Sequence, residues 1–154
     1  MKRLAINDLK IWLLQSKRKP LILRGARQVG KSTLVKLFAA ENALDLVEIN
    51  LEKIKIRSFE NSELDIHKII QEIEYKSQKR ITKKTLLFID EIQESPRAIM
   101  ALRYFYEERP DIAVIAAGSL LEFALNDQDI SIPVGRVEYY HLGPMSFEEF
   151  LLAL

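Results

Sequence analysis

The chain contains no cysteine and only two histidines, His67 and His141. The first absence excludes disulfides, cysteine-ligated zinc and thiol catalysis, and two histidines are too few for an ordinary structural zinc site. Glycine and proline are also scarce, at five each in 154 residues. In keeping with this, there is no low-complexity linker and no internal repeat. Neither sign of charge dominates: 23 Lys and Arg face 22 Asp and Glu, a net charge of +1. Bulk charge therefore offers no argument for a nucleic-acid or membrane partner. No apolar run reaches the length of a signal peptide core or a membrane span, so the expected compartment is the cytoplasm. What remains is ordinary for a soluble globular protein, 48% apolar and 29% charged, and long enough for one domain with a real core.

Two of the five glycines fall in a single stretch, Gly25-Ala26-Arg27-Gln28-Val29-Gly30-Lys31-Ser32-Thr33. It fits the phosphate-loop pattern G-x-x-x-x-G-K-[ST] at every fixed position. An extended segment, Leu21-Ile22-Leu23-Arg24, precedes it, and a helical pattern with Leu34, Leu37 and Phe38 on one face follows. Strand, glycine-rich turn and helix are the context the motif requires. A helix N-terminus offers unpaired N–H groups and a positive dipole end to a polyanionic phosphate. Gly25 and Gly30 would let the backbone approach the phosphates closely. Lys31 would reach the β- and γ-phosphates, and the Ser32 hydroxyl would ligate Mg²⁺.

The second key stretch is Thr85-Leu86-Leu87-Phe88-Ile89-Asp90-Glu91. Its continuous apolar run suits a strand buried on both faces of a parallel sheet, and it ends in adjacent carboxylates, a Walker-B pattern. Asp90 would complete the Mg²⁺ shell beside Ser32, and Glu91 would orient or deprotonate the attacking water.

The rest of the chain alternates in type. An amphipathic helix carrying Ile6, Leu9, Trp12 and Leu13 opens it, stopped by Lys17-Arg18-Lys19-Pro20, whose charges complement the helix end. Residues 46–51 read as a strand and 52–62 as a loop. Ser62 is expected to cap a helix from Glu63 to about Gln78, with His67 on its surface. Ser95-Pro96 starts a further helix carrying Ile99, Leu102, Phe105 and Tyr106. Residues 112–117 form a buried strand ending at Gly118-Ser119. A short helix over 120–125 and a polar loop over 126–133 precede a last strand at 137–142. Ser146-Phe147-Glu148-Glu149 has the capping-box form, with Phe147, Phe150, Leu151 and Leu154 on one face. A helix only begun, with four apolar residues to bury, predicts that residues 1–154 are a fragment of a longer chain. The pattern as a whole predicts an α/β P-loop NTPase fold. Its core would be a doubly wound, mainly parallel five-stranded sheet with helices on both faces and the ligand crevice at the strand C-termini.

Five features in order carry a resemblance: Gly25–Thr33, Phe88–Gln93, Gly118-Ser119-Leu120, Pro133–Arg136 and Leu142–Phe150. Together they resemble the N-terminal AAA-type ATPase domain of a prokaryotic family of uncharacterised ATP-binding proteins. The resemblance implies ATP and Mg²⁺ as ligands, a following lid and a C-terminal domain, and a hydrolase activity that moves that domain or a partner. It implies a γ-phosphate-sensing role for Ser119, which could equally cap the helix after it. It implies an arginine-finger role for Arg136 on a neighbouring subunit, against the simpler reading of an ion pair at a strand start. A homo-oligomer stays open on this basis. Asn50 stands where related ATPases restrain the catalytic glutamate, or is a strand-end asparagine. Three other classes compete. A small-molecule kinase would share the loop but usually lacks the Asp90-Glu91 pair. A GTPase would need an Asn-Lys-x-Asp stretch, which the sequence lacks. A regulatory module that binds nucleotide with little hydrolysis remains compatible with the residues.

Overall fold

A computed structural model describes residues 3–121, 126 and 132–154. The helix expected over 120–125 and the loop over 126–133 fall largely outside these residues. The elements run α1 (Ala5–Leu13), β1 (Leu21–Arg24), α2 (Lys31–Glu41), β2 (Asp45–Asn50), a 3-10 turn (Arg57–Glu60), α3 (Ile66–Ser77) and β3 (Thr85–Asp90). A second 3-10 turn (Ile92–Glu94), α4 (Pro96–Glu108), β4 (Ala113–Ala117), β5 (Glu138–His141) and α5 (Phe147–Ala153) complete them. Five strands form one sheet in the order β2-β3-β4-β1-β5, and every pairing is parallel.

Alternation along the strands explains the layers. Leu21, Leu23, Leu86, Phe88, Ala113, Ile115 and Ala117 point to one face, where they meet the buried sides of α1 and α2. Ile22, Val47, Ile49, Leu87, Ile89, Val114 and Ala116 point to the other, against α3 and α4. Successive side chains of a strand leave on opposite faces, so strands without polar interruption must be covered twice. β3 is buried at all six positions. Because the sheet is parallel, β1, β3 and β4 all end on the same edge, and β4 lies between the other two. The loop after β1, the carboxylates after β3 and Gly118-Ser119 after β4 are thereby delivered to one crevice.

Several local expectations are corrected. The N-cap of α3 is Asp65, whose carboxylate accepts from the His67 and Lys68 N–H groups, and Ser62 lies outside the helix. An aspartate next to the first apolar turn satisfies two orphan donors that Ser62 is too far back to reach. Ser95 does precede α4, but its hydroxyl donates to Glu60 Oε1 at 2.8 Å in place of capping. The segment 52–62 includes the Arg57–Glu60 turn, held by Glu72, whose carboxylate takes the Arg57 and Ser58 N–H groups at 2.8 Å each. Arg18 closes α1 as expected, donating to the Leu13 carbonyl at 2.9 Å.

The capping box of α5 is present: the Ser146 hydroxyl accepts from the Glu149 N–H and the Glu149 carboxylate from the Ser146 N–H. Phe147, Phe150, Leu151 and Leu154 are exposed, and the buried residue of α5 is Glu149. Its Oε1 accepts the Leu4 N–H at 2.8 Å, a carboxylate at the N-terminus of α1 where the helix dipole favours it. The same oxygen pairs with Arg3 Nε at 3.2 Å, both side chains almost fully buried. Arg3 also donates to the Val29 carbonyl at 3.2 Å and the Gly143 carbonyl at 3.1 Å. One arginine thus ties the phosphate loop to α5.

Breaking such a pair on one side leaves an uncompensated buried charge. Glu149→Ala is therefore expected to lower unfolding stability by about 3–5 kcal/mol, measured by urea denaturation at neutral pH. The Ser146 N–H, then the Leu4 N–H and the Arg3 charge, hold the Glu149 carboxyl below its usual range. A depressed carboxylate contributes stability above its unfolded pKa of about 4.3 and loses it as pH falls through the folded value. Acid titration should therefore cost the wild type stability below pH ~4 that Glu149→Gln does not have to lose.

Candidate active site

The crevice is built from the loop upward. Gly25 carries φ 151° and Gly30 φ 89°. A side chain on Gly25 would run into the Leu142 carbonyl, just past β5. The glycine is thus required by the sheet edge as well as by any ligand. α2 begins at Lys31 with Gly30 as its N-cap and no side-chain cap. Its first N–H groups are left as donors at the mouth of the crevice. Ala26, Arg27 and Gln28 form the exposed crown of the loop, and Gln28 takes the left-handed conformation at φ 62°. Val29 sits lower, held through its carbonyl by Arg3.

Lys31 is 8% exposed. Its ammonium donates to the carbonyls of Gly25 at 2.8 Å and Ala26 at 2.6 Å, spanning the loop from inside. Burial pulls its pKa below the ordinary lysine value, against the opposing pull of Glu91 and Asp90. One residue further, Ser32 Oγ donates to Asp90 Oδ2 at 2.8 Å. The loop and the end of β3 are therefore in direct contact across the width of β4.

Asp90 is buried, and its second oxygen accepts the Glu91 N–H at 2.9 Å. That bond supports an unusual backbone: Glu91 stands at φ 50°, left-handed for a residue with a full side chain. Such outliers cost free energy and persist where the surroundings enforce them. The turn aims the Glu91 side chain away from the sheet, toward Ser119. Its Oε2 accepts from the Ser119 N–H at 3.4 Å, from the Ser119 hydroxyl at 3.2 Å and from Gln93 Nε2 at 2.5 Å. Burial pushes this carboxyl upward, but the bonds from Gln93 and Ser119 and the Lys31 charge outweigh it and hold the group below the usual range. Glu91 is thus an ionised acceptor at neutral pH.

These groups line a crevice of about 380 Å³ with Thr33 of α2 and Glu52 beyond β2. Size does not single it out, since a hollow of about 350 Å³ lies on α3 around Gln71, Tyr75 and Arg80. The chemistry does: one buried ammonium, free helix N–H groups, a hydroxyl–carboxylate pair and a second carboxylate converge here. Ser32 and Asp90 offer hard oxygen donors, the type Mg²⁺ takes when one or two carboxylates and phosphate oxygens share its shell. The residues fit the ion.

Of the residues singled out by sequence, Lys31, Ser32, Thr33, Asp90, Glu91 and Ser119 meet at this crevice with Arg27, Gln28 and Gly30 of the loop. Arg136 does not. It stands before β5 with Nε on Glu107 Oε1 at 3.2 Å, on the α4 side of the molecule. Asn50 ends β2 opposite Asp90, but its side chain accepts the Glu52 N–H at 2.9 Å, a local turn. The restraint on Glu91 comes from Gln93 and Ser119. Arg3 carried no motif role in the sequence, and Gln93 entered only as the last residue of the Phe88–Gln93 stretch, with no role of its own. Gln93 lies two residues past a Walker-B carboxylate, a signal that becomes readable only once the left-handed turn at Glu91 is known.

A family model described as an AAA domain matches residues 17–151. No curated protein matches the chain. Among solved structures, the Walker-type ATPase of Pyrococcus abyssi is similar, with a TM-score of 0.60 and 19% identity, over 94% of this chain and 53% of that one. At that identity the likeness is one of fold. The chain spans about half the length of that structure.

Proposed function

The chain belongs to the AAA domain family, and on that premise we propose that it binds ATP with Mg²⁺ in the crevice and hydrolyses it. The observation that carries this reading is the Ser32–Asp90 contact at 2.8 Å with Glu91 next in sequence. It joins a phosphate loop to the two carboxylates the reaction needs. The α2 N-terminus and Lys31 would neutralise the β- and γ-phosphates, with the ammonium exchanging its two loop carbonyls for phosphate oxygens. Ser32 and Asp90 would hold Mg²⁺, which when bound offsets the charge that develops on the phosphate oxygens. Glu91 would take a proton from water as the water oxygen attacks the γ-phosphorus. The bond to the β-bridging oxygen breaks, leaving ADP and inorganic phosphate. Ser119 reaches both Glu91 and the crevice, and would sense the γ-phosphate as its position in the family implies.

Loss of the γ-phosphate removes contacts with Lys31 and Ser119, and that difference in binding is what could drive a change in a following domain or partner. Arg136 would serve a neighbouring subunit's nucleotide only after leaving Glu107. The experiment is Mg²⁺-dependent phosphate release from ATP by the wild type and by Asp90→Asn. The half-saturating Mg²⁺ concentration should rise at least about tenfold in the variant. An unchanged Mg²⁺ requirement would remove Asp90 from the metal site.

A further inference from the structure

We propose that Gln93 is a positioning residue for Glu91, and that Gly118 is glycine because the Gln93 side chain occupies the space where a β-carbon would stand. The inference rests on the hydrolase reading above and adds to it a pair of residues that neither the phosphate loop nor the Walker-B pattern contains.

Three observations converge. Gln93 Nε2 donates to Glu91 Oε2 at 2.5 Å, the shortest of the bonds on that carboxylate. The remaining half of the amide, Oε1, is buried with no hydrogen-bond donor among the described residues. A β-carbon built on Gly118 would collide with that same Oε1. Turning the amide over would set its oxygen against the carboxylate, which is repulsive, so the bond to Glu91 fixes the orientation. A buried unsatisfied carbonyl is a cost to stability that an apolar side chain of the same size would avoid. Stability alone does not account for a glutamine here, whereas its grip on Glu91 does.

The geometry assigns a division of labour. Gln93 and Ser119 share Oε2 and approach from the ends of two different strands, β3 and β4. Fixing that oxygen stops rotation of the carboxylate and leaves Oε1 to meet water. Lys31, Asp90, Arg27 and Glu52 are the charged groups around the same crevice, and none of them donates a hydrogen bond to Glu91 through its side chain among the described residues. Orientation of the carboxylate therefore depends on the Gln93–Gly118–Ser119 corner.

Gly118 makes the idea separable from a general loss of packing. The atom a new methyl group would meet is the far end of a flexible side chain, so Gly118→Ala should displace the Gln93 amide and leave the backbone in place. Gln93→Ala and Gly118→Ala should then damage one and the same interaction. Each is expected to lower kcat for ATP hydrolysis about 10- to 100-fold, the scale of a misplaced reacting group, with KM changed less than about threefold. The double variant should be no slower than the slower single variant, because Gln93→Ala removes the collision that Gly118→Ala creates. A signature without turnover is the Gln93 side-chain amide resonance, which should shift in Gly118→Ala in the same direction as in Glu91→Ala.

Unchanged kcat in Gln93→Ala, or losses that multiply in the double variant, would overturn the inference. If Glu91→Gln is inactive while Gln93→Ala turns over normally, the hydrolase reading stands and only the positioning role falls. If Glu91→Gln hydrolyses ATP like the wild type, the reading beneath it has failed. In that case an amide resonance that responds to neither substitution would reject the contact itself.

Discussion

Glu91→Gln is expected to keep ATP bound and to slow phosphate release by about 10²- to 10⁴-fold, the usual worth of a general base. The substitution preserves shape. An amide oxygen in place of Oε2 can still accept from Gln93 and Ser119, so the corner that holds residue 91 should survive. What disappears is the ability to take a proton from water. The left-handed backbone at φ 50° is untouched, because it depends on the Asp90 side chain accepting the residue-91 N–H at 2.9 Å. Binding should be intact because, on the proposed reading, the phosphate contacts would come from Lys31 and the α2 N-terminus. Phosphate release under single-turnover conditions, alongside ATP affinity from fluorescence titration, separates the two steps. Hydrolysis at the wild-type rate would remove Glu91 from the reaction, and lost affinity would mean that it contributes to nucleotide binding.

Lys31→Ala should produce the complementary result, loss of ATP affinity by about 30- to several-thousand-fold. That range corresponds to the ~2–5 kcal/mol cost of removing one partner from a buried, hydrogen-bonded charge pair. The lysine is almost fully buried and already poised among carbonyl acceptors of the loop. A ligand phosphate therefore replaces existing partners at little conformational cost. The same bonds brace the loop from inside, so the variant must be checked for folding without nucleotide by thermal unfolding. A variant that is folded but fails to bind assigns the lysine to phosphate. A variant that binds like the wild type shows that the loop does not hold the nucleotide.

The parts of the site legible in the sequence are those whose chemistry is local. Gly25–Thr33 announces itself because turn, donor and helix start lie within one short stretch. Thr85–Glu91 does so because a strand buried on both faces has no polar interruption until its end. The sheet's parallel character followed from the same run. Strand order did not, since nothing in the sequence of β4 states that it inserts between β1 and β3. Yet that insertion carries Ser119 to Glu91. Side-chain partnerships were legible least. Arg3 reaches Val29, Gly143 and Glu149, each remote in sequence, and no periodicity marks it. The capping box at Ser146 was readable, but not that its glutamate also pairs with Arg3. Ser62 is the cap expected from the sequence, and only the observed helix start shows that Asp65 takes that place.

The most direct test of the central claim is a calorimetric titration of the protein with ATP in the presence of Mg²⁺, repeated with EDTA and with Lys31→Ala. The account predicts saturable binding at one site, weakened by removing Mg²⁺ and largely abolished by the substitution. Equal binding in wild type and Lys31→Ala, or no heat of binding in the wild type at millimolar ATP, would contradict it.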